Sequence, residues 1–323
     1  MSMRRIGIAA AIILALVIAI GAILAYGTLM SAPGSDANEA QFTVPRGEST
    51  GAAVEALLAG GFIRNAWGFR VALGARSIAP GGYRLPKDLD AFGIAHAIAQ
   101  GPDQVWVTIP EGLRKEEVGE RLAAALGWSP QEIATWDASS TEPGTDYAEG
   151  VYFPDTYLMP KGASPDEAAA RMRAHFEEEF APFAKEALAQ DIKWTTVLKI
   201  ASLVQREAAG TSDMPLIAGI IWNRLEAGMP LQIDAMLQYA AGTAGKWWPA
   251  ATPAMKSLDS PYNTYAHAGL PPTPIDEPGS DAIKAVLDPT TTTCLYYLHD
   301  SAGQIHCADT YAAQEANIET YLK

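Results

Sequence analysis

An uncharged, nearly continuous apolar stretch at residues 6–30 restricts the architecture of this chain more than any other feature. A helix crosses a bilayer with about 20 apolar residues, so the stretch predicts a single transmembrane helix. Arg4 and Arg5 precede it, and flanking basic residues stay on the cytoplasmic side. We therefore expect residues 1–5 to be a cytoplasmic tail and the body of the chain to lie outside the cytoplasm. A cleaved signal peptide is the alternative, although its apolar core normally spans only about 7–15 residues.

The body of the chain is acidic. The 323 residues include 23 Lys and Arg against 37 Asp and Glu, and only two of the basic residues fall in the first 30. The part after residue 30 therefore carries a net charge of −16. Such a charge argues against nucleic acid as a partner, and against binding to anionic lipids or anionic polymers through bulk charge. A largely uncharged polymer, such as a glycan, remains compatible with it.

Short strand–helix units follow a polar linker at residues 31–40. In each unit a short strand leads through a polar turn into a helix that a glycine ends. Two of the units begin with the related sequences Val44-Pro45-Arg46-Gly47 and Ile109-Pro110-Glu111-Gly112. This pattern predicts an α+β fold. Small glycan-binding modules use such units, and a packing domain without a ligand is an equally open alternative.

Residues 195–210 predict a helix whose apolar face carries one acid. On a period of about 3.6 residues, Ile200, Leu203, Val204 and Glu207 lie on one side. A glutamate that continues a buried stripe loses solvation, which favours its neutral form and raises its pKa. A carboxyl group that is protonated near neutral pH is suited to general acid catalysis. The alternative is a glutamate at a helix end that turns back to water, because apolar stripes often end in a charge.

Aromatic and polar loops flank this helix in the sequence. Residues 149–157 are dense in Tyr and Phe and suit either a sugar-lined groove or a loop that plugs into the core. Residues 128–149 before them are predicted to form short helical segments and a loop. Beyond the helix, loops at residues 229–239 and 260–279 combine Tyr, Asn, Gln and Asp with prolines. Side chains of these types predict a pocket that holds hydroxyl and amide groups by hydrogen bonds.

The two cysteines, Cys294 and Cys307, flank two strand-like runs around an Asp-Ser-Ala-Gly turn. A hairpin closing there would place them roughly opposite each other, and a disulfide can form in an oxidising compartment. Two reduced cysteines in the core are the alternative. His299 and His306 are near, but the tight paired spacing of a zinc site is missing, so we predict no metal.

A set of motifs in order along residues 40–323 resembles the MltG/YceG-like family of endolytic murein transglycosylases. The motifs are Ile109-Pro110-Glu111-Gly112, Phe153-Pro154-Asp155-Thr156-Tyr157, Ala201-Ser202-Leu203-Val204-Gln205-Arg206-Glu207, Asn223-Arg224-Leu225, Leu231-Gln232 with Asp234, Tyr262-Asn263-Thr264-Tyr265, and Gly269-Leu270-Pro271-Pro272 with Pro274-Ile275. Each is weak by itself, but the ordered set behind one membrane anchor is specific.

The resemblance implies a domain organisation and a substrate. It implies a LysM-like α+β region at residues 41–105 and an α+β catalytic domain at residues 106–323, behind the transmembrane helix at residues 6–30. The implied enzyme is a peptidoglycan lytic transglycosylase of the bacterial inner membrane, with its body in the periplasm. It would cut nascent glycan strands between MurNAc and GlcNAc without a cofactor, with cell-wall synthases as candidate partners.

Glu207 is the catalytic residue that the resemblance implies, first as general acid and then as general base. A hydrolase that splits a glycosidic bond usually needs two carboxyl groups. A lytic transglycosylase can use one, because a hydroxyl of the substrate is the nucleophile. The family commonly has a second acid two positions earlier, where this chain has Gln205. It often has Phe and His where this chain has Cys307 and Gln314, so we assign no catalytic role to the C-terminal hairpin.

The candidates for holding the N-acetyl groups or stabilising the oxocarbenium-like state are Gln232, Tyr262 and Asn263. A purely structural role is the alternative for each of them. Asp234 is a candidate second carboxylate, which would favour a water-using muramidase. Arg224 is expected to pair with an acid, and Asp234 is one candidate partner. A non-catalytic glycan-binding or divisome scaffold protein is the remaining alternative.

Overall fold

The structure is a computed structural model that describes residues 3–138 and 149–323. Helices and two sheets make up this part of the chain, which confirms the predicted α+β class. The helices are α1 (Met3–Leu29), α2 (Thr50–Ala59), α3 (Ala66–Leu73), α4 (Ala91–Ala99), α5 (Lys115–Leu126), α6 (Pro130–Ala138), α7 (Pro165–Ala189), α8 (Trp194–Glu207), α9 (Met214–Glu226), α10 (Asp234–Ala241), α11 (Ser280–Leu287) and α12 (Tyr311–Tyr321). The strands are β1 (Glu39–Val44), β2 (Gly81–Pro86), β3 (Gln104–Thr108), β4 (Thr156–Pro160), β5 (Tyr296–His299) and β6 (Ile305–Ala308). The stretch predicted as helix pieces plus loop contains α6, and its residues 139–148 lie outside the described part.

The N-terminal helix α1 is a candidate membrane span, as predicted. Its residues Ala10–Leu29 are long and apolar enough to cross a bilayer. Large apolar side chains along it are exposed, among them Ile13 and Leu24. No second helix in the described residues meets the same test.

The described chain divides into two compact units, of which the first comprises Met1–Trp106 with Tyr157–Lys161. Its sheet has the order β1-β2-β3-β4, and β1 and β2 pair antiparallel along their whole length. Alternate residues of β1, Phe42 and Val44, are buried because successive side chains of a strand point to opposite faces. They form one core with side chains of β2, α2, α3 and α4. The LysM-like identity of residues 41–105 stays a prediction.

The second unit comprises Val107–Thr156 and Gly162–Lys323, and α8 lies in its core. Val197, Ile200 and Val204 of α8 have no exposed area and pack with side chains of α7, α9, α10 and α11. Burying an aliphatic side chain of this size contributes about 1.5–3 kcal/mol. The packing therefore fixes α8 firmly, and with it the side chain at its C-terminal end.

The aromatic segment at residues 149–157 packs into the core of the second unit through Val151 and Phe153, whereas its last residue, Tyr157, belongs to the first unit. Val151 and Tyr152 are buried. The Glu277 carboxyl group accepts hydrogen bonds from the backbone N–H groups of Gly150 and Tyr152, at 3.1 and 2.7 Å. Of the two interpretations of this segment, the structure agrees with the loop that packs into the core.

The predicted C-terminal hairpin is formed by β5 and β6, with Tyr297 opposite Cys307. A disulfide joins Cys294 to Cys307, whose Cα atoms lie 5.9 Å apart. Of the two alternatives for the cysteines, the disulfide is the one that the structure contains. Asn223 on α9 donates from Nδ2 to the Cys294 carbonyl at 3.0 Å, and Gln314 on α12 donates to the Tyr297 carbonyl at the same distance. The hairpin is therefore tied to two helices of the unit.

Candidate active site

A pocket of about 290 Å³ lies beside the C-terminal end of α8. Glu207, the last residue of α8, forms part of its wall because the preceding turns of the helix are buried. The pocket thus brings Glu207 together with Gln232 and Asp234 from the sequence analysis. Its lining residues are Glu207, Arg224, Leu231, Gln232, Ile233, Asp234, Tyr265, Tyr296, Tyr297, Leu298, His299 and Gln314.

The environment of Glu207 favours its protonated form. Burial is the largest influence and raises the pKa of Glu207. The Tyr297 hydroxyl donates to Glu207 Oε2 at 2.7 Å, and this bond and the Ala235 backbone N–H both lower the pKa. The charge of Asp234 raises it further, whereas His299 acts in the opposite direction. On balance the pKa of Glu207 is raised, which is the property that a general acid requires.

The N-terminus of α10 faces this carboxyl group. Its N-cap residue, Ile233, has no side chain that caps the first turn. The Ala235 N–H is therefore free to interact with Glu207. The partial positive charge at a helix N-terminus stabilises an anion. A carboxylate formed on Glu207 by proton transfer would thus meet a stabilising partner that is already in place.

Asp234 is the second carboxyl group of the pocket, and its environment differs. It is exposed at the first position of α10, where the helix dipole favours a negative charge. The Tyr265 hydroxyl donates to Asp234 Oδ1 at 2.7 Å. Burial, together with the hydrogen bond to Asp234, raises the pKa of Tyr265, so this tyrosine stays a donor. One pocket therefore holds two carboxyl groups of different exposure.

Gln232 lines the pocket in an unusual backbone conformation. Its φ angle of 53° lies in the left-handed region, which costs a residue with a Cβ roughly 1–2 kcal/mol. Its backbone N–H donates to the Thr264 carbonyl at 3.1 Å, which helps to hold the turn. The residue is exposed. Strain of this kind clusters at ligand-binding sites, and it supports the prediction that Gln232 contacts a substrate.

Arg224 binds backbone carbonyls where an acid was expected as its partner. Its guanidinium donates to the carbonyls of Leu231 and Leu295 at 2.6 Å each, and to that of Pro230 at 3.3 Å. Among the described residues, the expected ion pair with Asp234 is not formed. Arg224 instead ties the loop before α10 to the segment before β5, and so fixes two walls of the pocket.

Tyr262 and Asn263 do not line this pocket. Asn263 is fully buried, and its Nδ2 donates to the backbone carbonyls of Leu258 and Lys256, just before its loop, at 2.9 and 3.1 Å. Its Oδ1 accepts from the Tyr265 N–H at 3.0 Å, so Asn263 positions a residue that does line the pocket. The Tyr262 hydroxyl lies 2.8 Å from Thr273 Oγ1. Direct substrate contacts by these two residues stay predictions, and the geometry gives Asn263 a supporting role through Tyr265.

The C-terminal hairpin forms a wall of the pocket, although no role was assigned to it from the sequence. Tyr297 and His299 lie two positions apart on β5 and both line the pocket, as does Gln314 of α12. His299 Nε2 lies 3.2 Å from Asp213 Oδ2. Alternate residues of a strand share a face, which puts Tyr297 and His299 on one face, although Tyr296 and Leu298 of the same strand also line the pocket. The sequence did not indicate which surface that face would meet.

A separate group of buried acids supports the fold of the second unit. Glu149 accepts hydrogen bonds from the Lys115 N–H and the Tyr239 hydroxyl, at 2.5 and 2.8 Å, and burial raises the pKa of Glu149 to about 7. These bonds join the start of α5 to α10. Asp276 is also buried, which raises its pKa. Within residues 3–138 and 149–323, no group of three His, Cys, Asp or Glu side chains is arranged to hold a metal ion.

Known proteins share sequence with most of this chain. It is 26% identical over 277 residues to an endolytic murein transglycosylase of Streptococcus pneumoniae, and the match covers 75% of this chain and 50% of that protein. It is 26% identical over 304 residues to an endolytic murein transglycosylase of Bacillus subtilis, covering 86% of this chain and 84% of that protein. The chain thus spans half the length of the pneumococcal relative.

A solved structure has the same fold. A crystal structure of a YceG-like protein from Listeria monocytogenes matches with a TM-score of 0.58 and 24% identity, over 86% of this chain and 98% of that one. A family model, described as the YceG-like family, matches residues 42–320. This range contains every residue that lines the pocket. The resemblance seen in the sequence motifs is thereby confirmed, and the chain belongs to the YceG-like family.

Proposed function

We propose that this chain is a membrane-anchored endolytic peptidoglycan lytic transglycosylase that cleaves the bond between MurNAc and GlcNAc. The YceG-like family and two relatives named endolytic murein transglycosylase support the reaction class. The observation that carries the proposal is Glu207, a carboxyl group with a raised pKa in the wall of a polar pocket. Such a group can transfer a proton to a sugar oxygen near neutral pH.

In the first step Glu207 is the general acid. Neutral Glu207 gives its proton to the O4 oxygen of GlcNAc while the bond from that oxygen to C1 of MurNAc breaks. Burial of Glu207 keeps the proton available, because it disfavours the charged form. The carboxylate that remains is stabilised by the Tyr297 hydroxyl and the Ala235 N–H. Both donors are in place before the reaction, so no reorganisation is needed as charge develops.

In the second step the same group is the general base. The Glu207 carboxylate takes the proton of the C6 hydroxyl of MurNAc, whose oxygen attacks C1 and closes a 1,6-anhydro ring. The nucleophile belongs to the substrate, so its effective concentration is high and no water has to be activated. One proton has then moved from the C6 hydroxyl to O4, and Glu207 is protonated again. Gln232 is the proposed contact to an N-acetyl group, because it is exposed in the same pocket.

Asp234 favours a second candidate function, that of a water-using muramidase. A glycosidase that uses water needs a second carboxyl group, and Asp234 lines the same pocket as Glu207. The product would then carry a reducing end. The two relatives named endolytic murein transglycosylase favour the transglycosylase.

Glu207→Gln tests the assignment in the full chain, purified in detergent and supplied with peptidoglycan glycan strands. Gln fills the same space without a transferable proton, so we expect the cleavage rate to fall by about 10²–10⁴-fold. The matched control is Glu226→Gln, which makes the same change at an exposed position on α9. Cleavage by Glu207→Gln at the rate of the control would refute the assignment.

Mass spectrometry of the products separates the candidate functions. Anhydro ends are lighter than reducing ends by one water, so the expected fragments differ in mass from those of a muramidase. Reducing ends would support Asp234 as the base. If the unaltered chain binds strands and cleaves none, the protein is a non-catalytic glycan-binding scaffold.

The anchoring part of the proposal rests on α1. Its residues Ala10–Leu29 can cross a bilayer, and Arg4 and Arg5 before them favour a cytoplasmic N-terminus. The catalytic body would then lie in the periplasm, beside nascent peptidoglycan and, as a prediction, the cell-wall synthases. Protease added to spheroplasts should degrade the body, and full protection would place the body in the cytoplasm.

A further inference from the structure

Tyr297 is the side chain of the hairpin that reaches the candidate acid, and the inference drawn from it rests on the proposed function. Its hydroxyl donates to Glu207 Oε2 at 2.7 Å across 90 positions of sequence. We propose that Tyr297 is a positioning residue, which holds Oε2 as an acceptor and thereby makes Oε1 the oxygen that gives and takes the proton.

The argument begins with the single hydrogen of a carboxylic acid. The carbonyl oxygen of a protonated carboxyl group accepts more strongly than its hydroxyl oxygen, so the bond from Tyr297 favours Oε2 as the carbonyl oxygen and the hydrogen on Oε1. In the opposite arrangement, Glu207 would donate to the tyrosine oxygen. The phenol hydrogen would then lose the acceptor that it has in the structure, Glu207 Oε2, and would depend on solvent in the pocket. Exchanging a fixed hydrogen bond for solvent is the less favourable arrangement.

The charges around Tyr297 favour the same direction of donation. Burial and the nearby Glu207 charge raise the pKa of Tyr297 well above its usual range, so the hydroxyl stays protonated and available as a donor. Arg224 has the opposite effect on this pKa, because its positive charge stabilises negative charge on the tyrosine oxygen. A cation near that oxygen also opposes the approach of a second hydrogen.

The tyrosine is held in place through the backbone of its strand. Gln314 Nε2 donates to the Tyr297 carbonyl at 3.0 Å. On the other strand of the hairpin, Cys307 lies opposite Tyr297 and is bonded to Cys294. A donor fixed in this way keeps its geometry through both proton transfers, which is what a supporting residue must do to hold an acid in line with its substrate.

Other groups that face Glu207 set the background for a test. Asp234 at the start of α10 raises the pKa of Glu207, whereas His299 on β5 and a backbone N–H of α10 lower it. Tyr265 also lines the pocket, where its hydroxyl donates a hydrogen bond to Asp234. Removal of the Tyr297 hydroxyl leaves all of these groups in place, so a changed titration of Glu207 reports on the tyrosine.

The experiment compares Tyr297→Phe with Tyr311→Phe in the full chain in detergent. Both changes delete one phenol oxygen, and Tyr311 is exposed on α12 outside the pocket. The carboxyl ¹³C resonance of Glu207, assigned by its loss in Glu207→Gln, is followed by NMR as the pH is raised, without substrate. A donor to a carboxylate lowers the pKa, so we expect Tyr297→Phe to raise the pKa of Glu207. If Glu207 were the donor, the same change would lower it.

Kinetics on glycan strands give a second readout. We expect kcat of Tyr297→Phe to fall by about tenfold to a hundredfold, the effect of one hydrogen bond to a charged group. KM should change little, because the hydroxyl acts on Glu207 and not on the sugar. Glu207 must be protonated to act as the acid, so the high-pH limb of activity should move to higher pH together with its pKa.

The outcomes separate this inference from the proposed function. A Glu207 pKa that is unchanged or lowered in Tyr297→Phe overturns the inference, and so does an equal effect of Tyr311→Phe. If the Glu207 pKa rises but the unaltered chain cleaves no strands, the proposed function fails while the direction of the hydrogen bond stands.

Discussion

Loss of the disulfide between Cys294 and Cys307 should destabilise the protein by a predictable amount. The two cysteines are 13 positions apart. A cross-link that closes a loop of about 15 residues lowers the entropy of the unfolded chain by an amount worth about 3 kcal/mol at 25 °C. The double change Cys294→Ser with Cys307→Ser should therefore lower the free energy of unfolding by about 3 kcal/mol. In a unit of roughly 150–250 residues, this lowers Tm by about 6–12 °C.

The same change should slow the chemistry, because of where the hairpin lies. Cys307 is opposite Tyr297 in the hairpin, and Tyr297 donates to Glu207. Without the cross-link the hairpin has more freedom, so the hydrogen bond to the acid is formed for a smaller fraction of the time. We expect strand cleavage to slow while the product keeps its anhydro end.

The assay is thermal unfolding of the full chain in detergent, with and without a phosphine reductant, beside a rate measurement on glycan strands. Reductant should lower the Tm of the unaltered chain to that of the double serine variant and leave the variant unchanged. Equal Tm values for the oxidised chain and the variant would refute the entropic reasoning. A lowered Tm with an unchanged cleavage rate would instead refute the coupling between the hairpin and Glu207.

Two further predictions concern the carboxyl pocket. Gln232→Gly relieves the left-handed strain and should leave Tm equal or slightly raised, whereas Gln232→Ala keeps the strain. Both variants should raise KM for glycan strands. An unchanged KM in both would exclude a contact between Gln232 and the sugar. Asp234→Asn removes a charge that raises the pKa of Glu207. In initial rates measured across pH, the pH at which cleavage is lost on the alkaline side should therefore be lower in this variant. Loss of cleavage at every pH would favour the muramidase.

Helix α8 illustrates how much local sequence determines. The apolar period predicted a helix at residues 195–210, and the helix found is Trp194–Glu207. Each apolar side chain on one stripe gains free energy by burial, so the period alone specifies both the helix and the face that it buries. The acid continues that stripe, and this is why a raised pKa for Glu207 followed from the sequence.

Asn263 illustrates where residue type misleads. Polar loops that contain Tyr and Asn predicted contacts to a substrate, yet the Asn263 side chain forms hydrogen bonds with backbone groups of nearby residues, Lys256, Leu258 and Tyr265. Asn stabilises turns and binds ligands through the same amide group. A sequence without coordinates therefore does not separate the two roles.

Tyr297 illustrates a long-range contact that the sequence does not reveal. The hydrogen bond to Glu207 joins residues 90 positions apart. It depends on the register that sets Tyr297 opposite Cys307, and a shift by one residue would turn the tyrosine to the other face of the hairpin. Motifs indicated a hairpin here, but neither its register nor the helix end that it meets.

The pocket distinguishes its two carboxyl groups by exposure. Glu207 and Asp234 each accept a hydrogen bond from a tyrosine hydroxyl at 2.7 Å, so hydrogen bonding does not tell them apart. Glu207 ends a buried helix, and burial raises its pKa. Asp234 is exposed at the start of α10, and its charge raises the pKa of Glu207 further. An acid with a raised pKa beside a second carboxyl group is an arrangement that suits proton donation, and it supports the proposal that Glu207 carries the transferable proton.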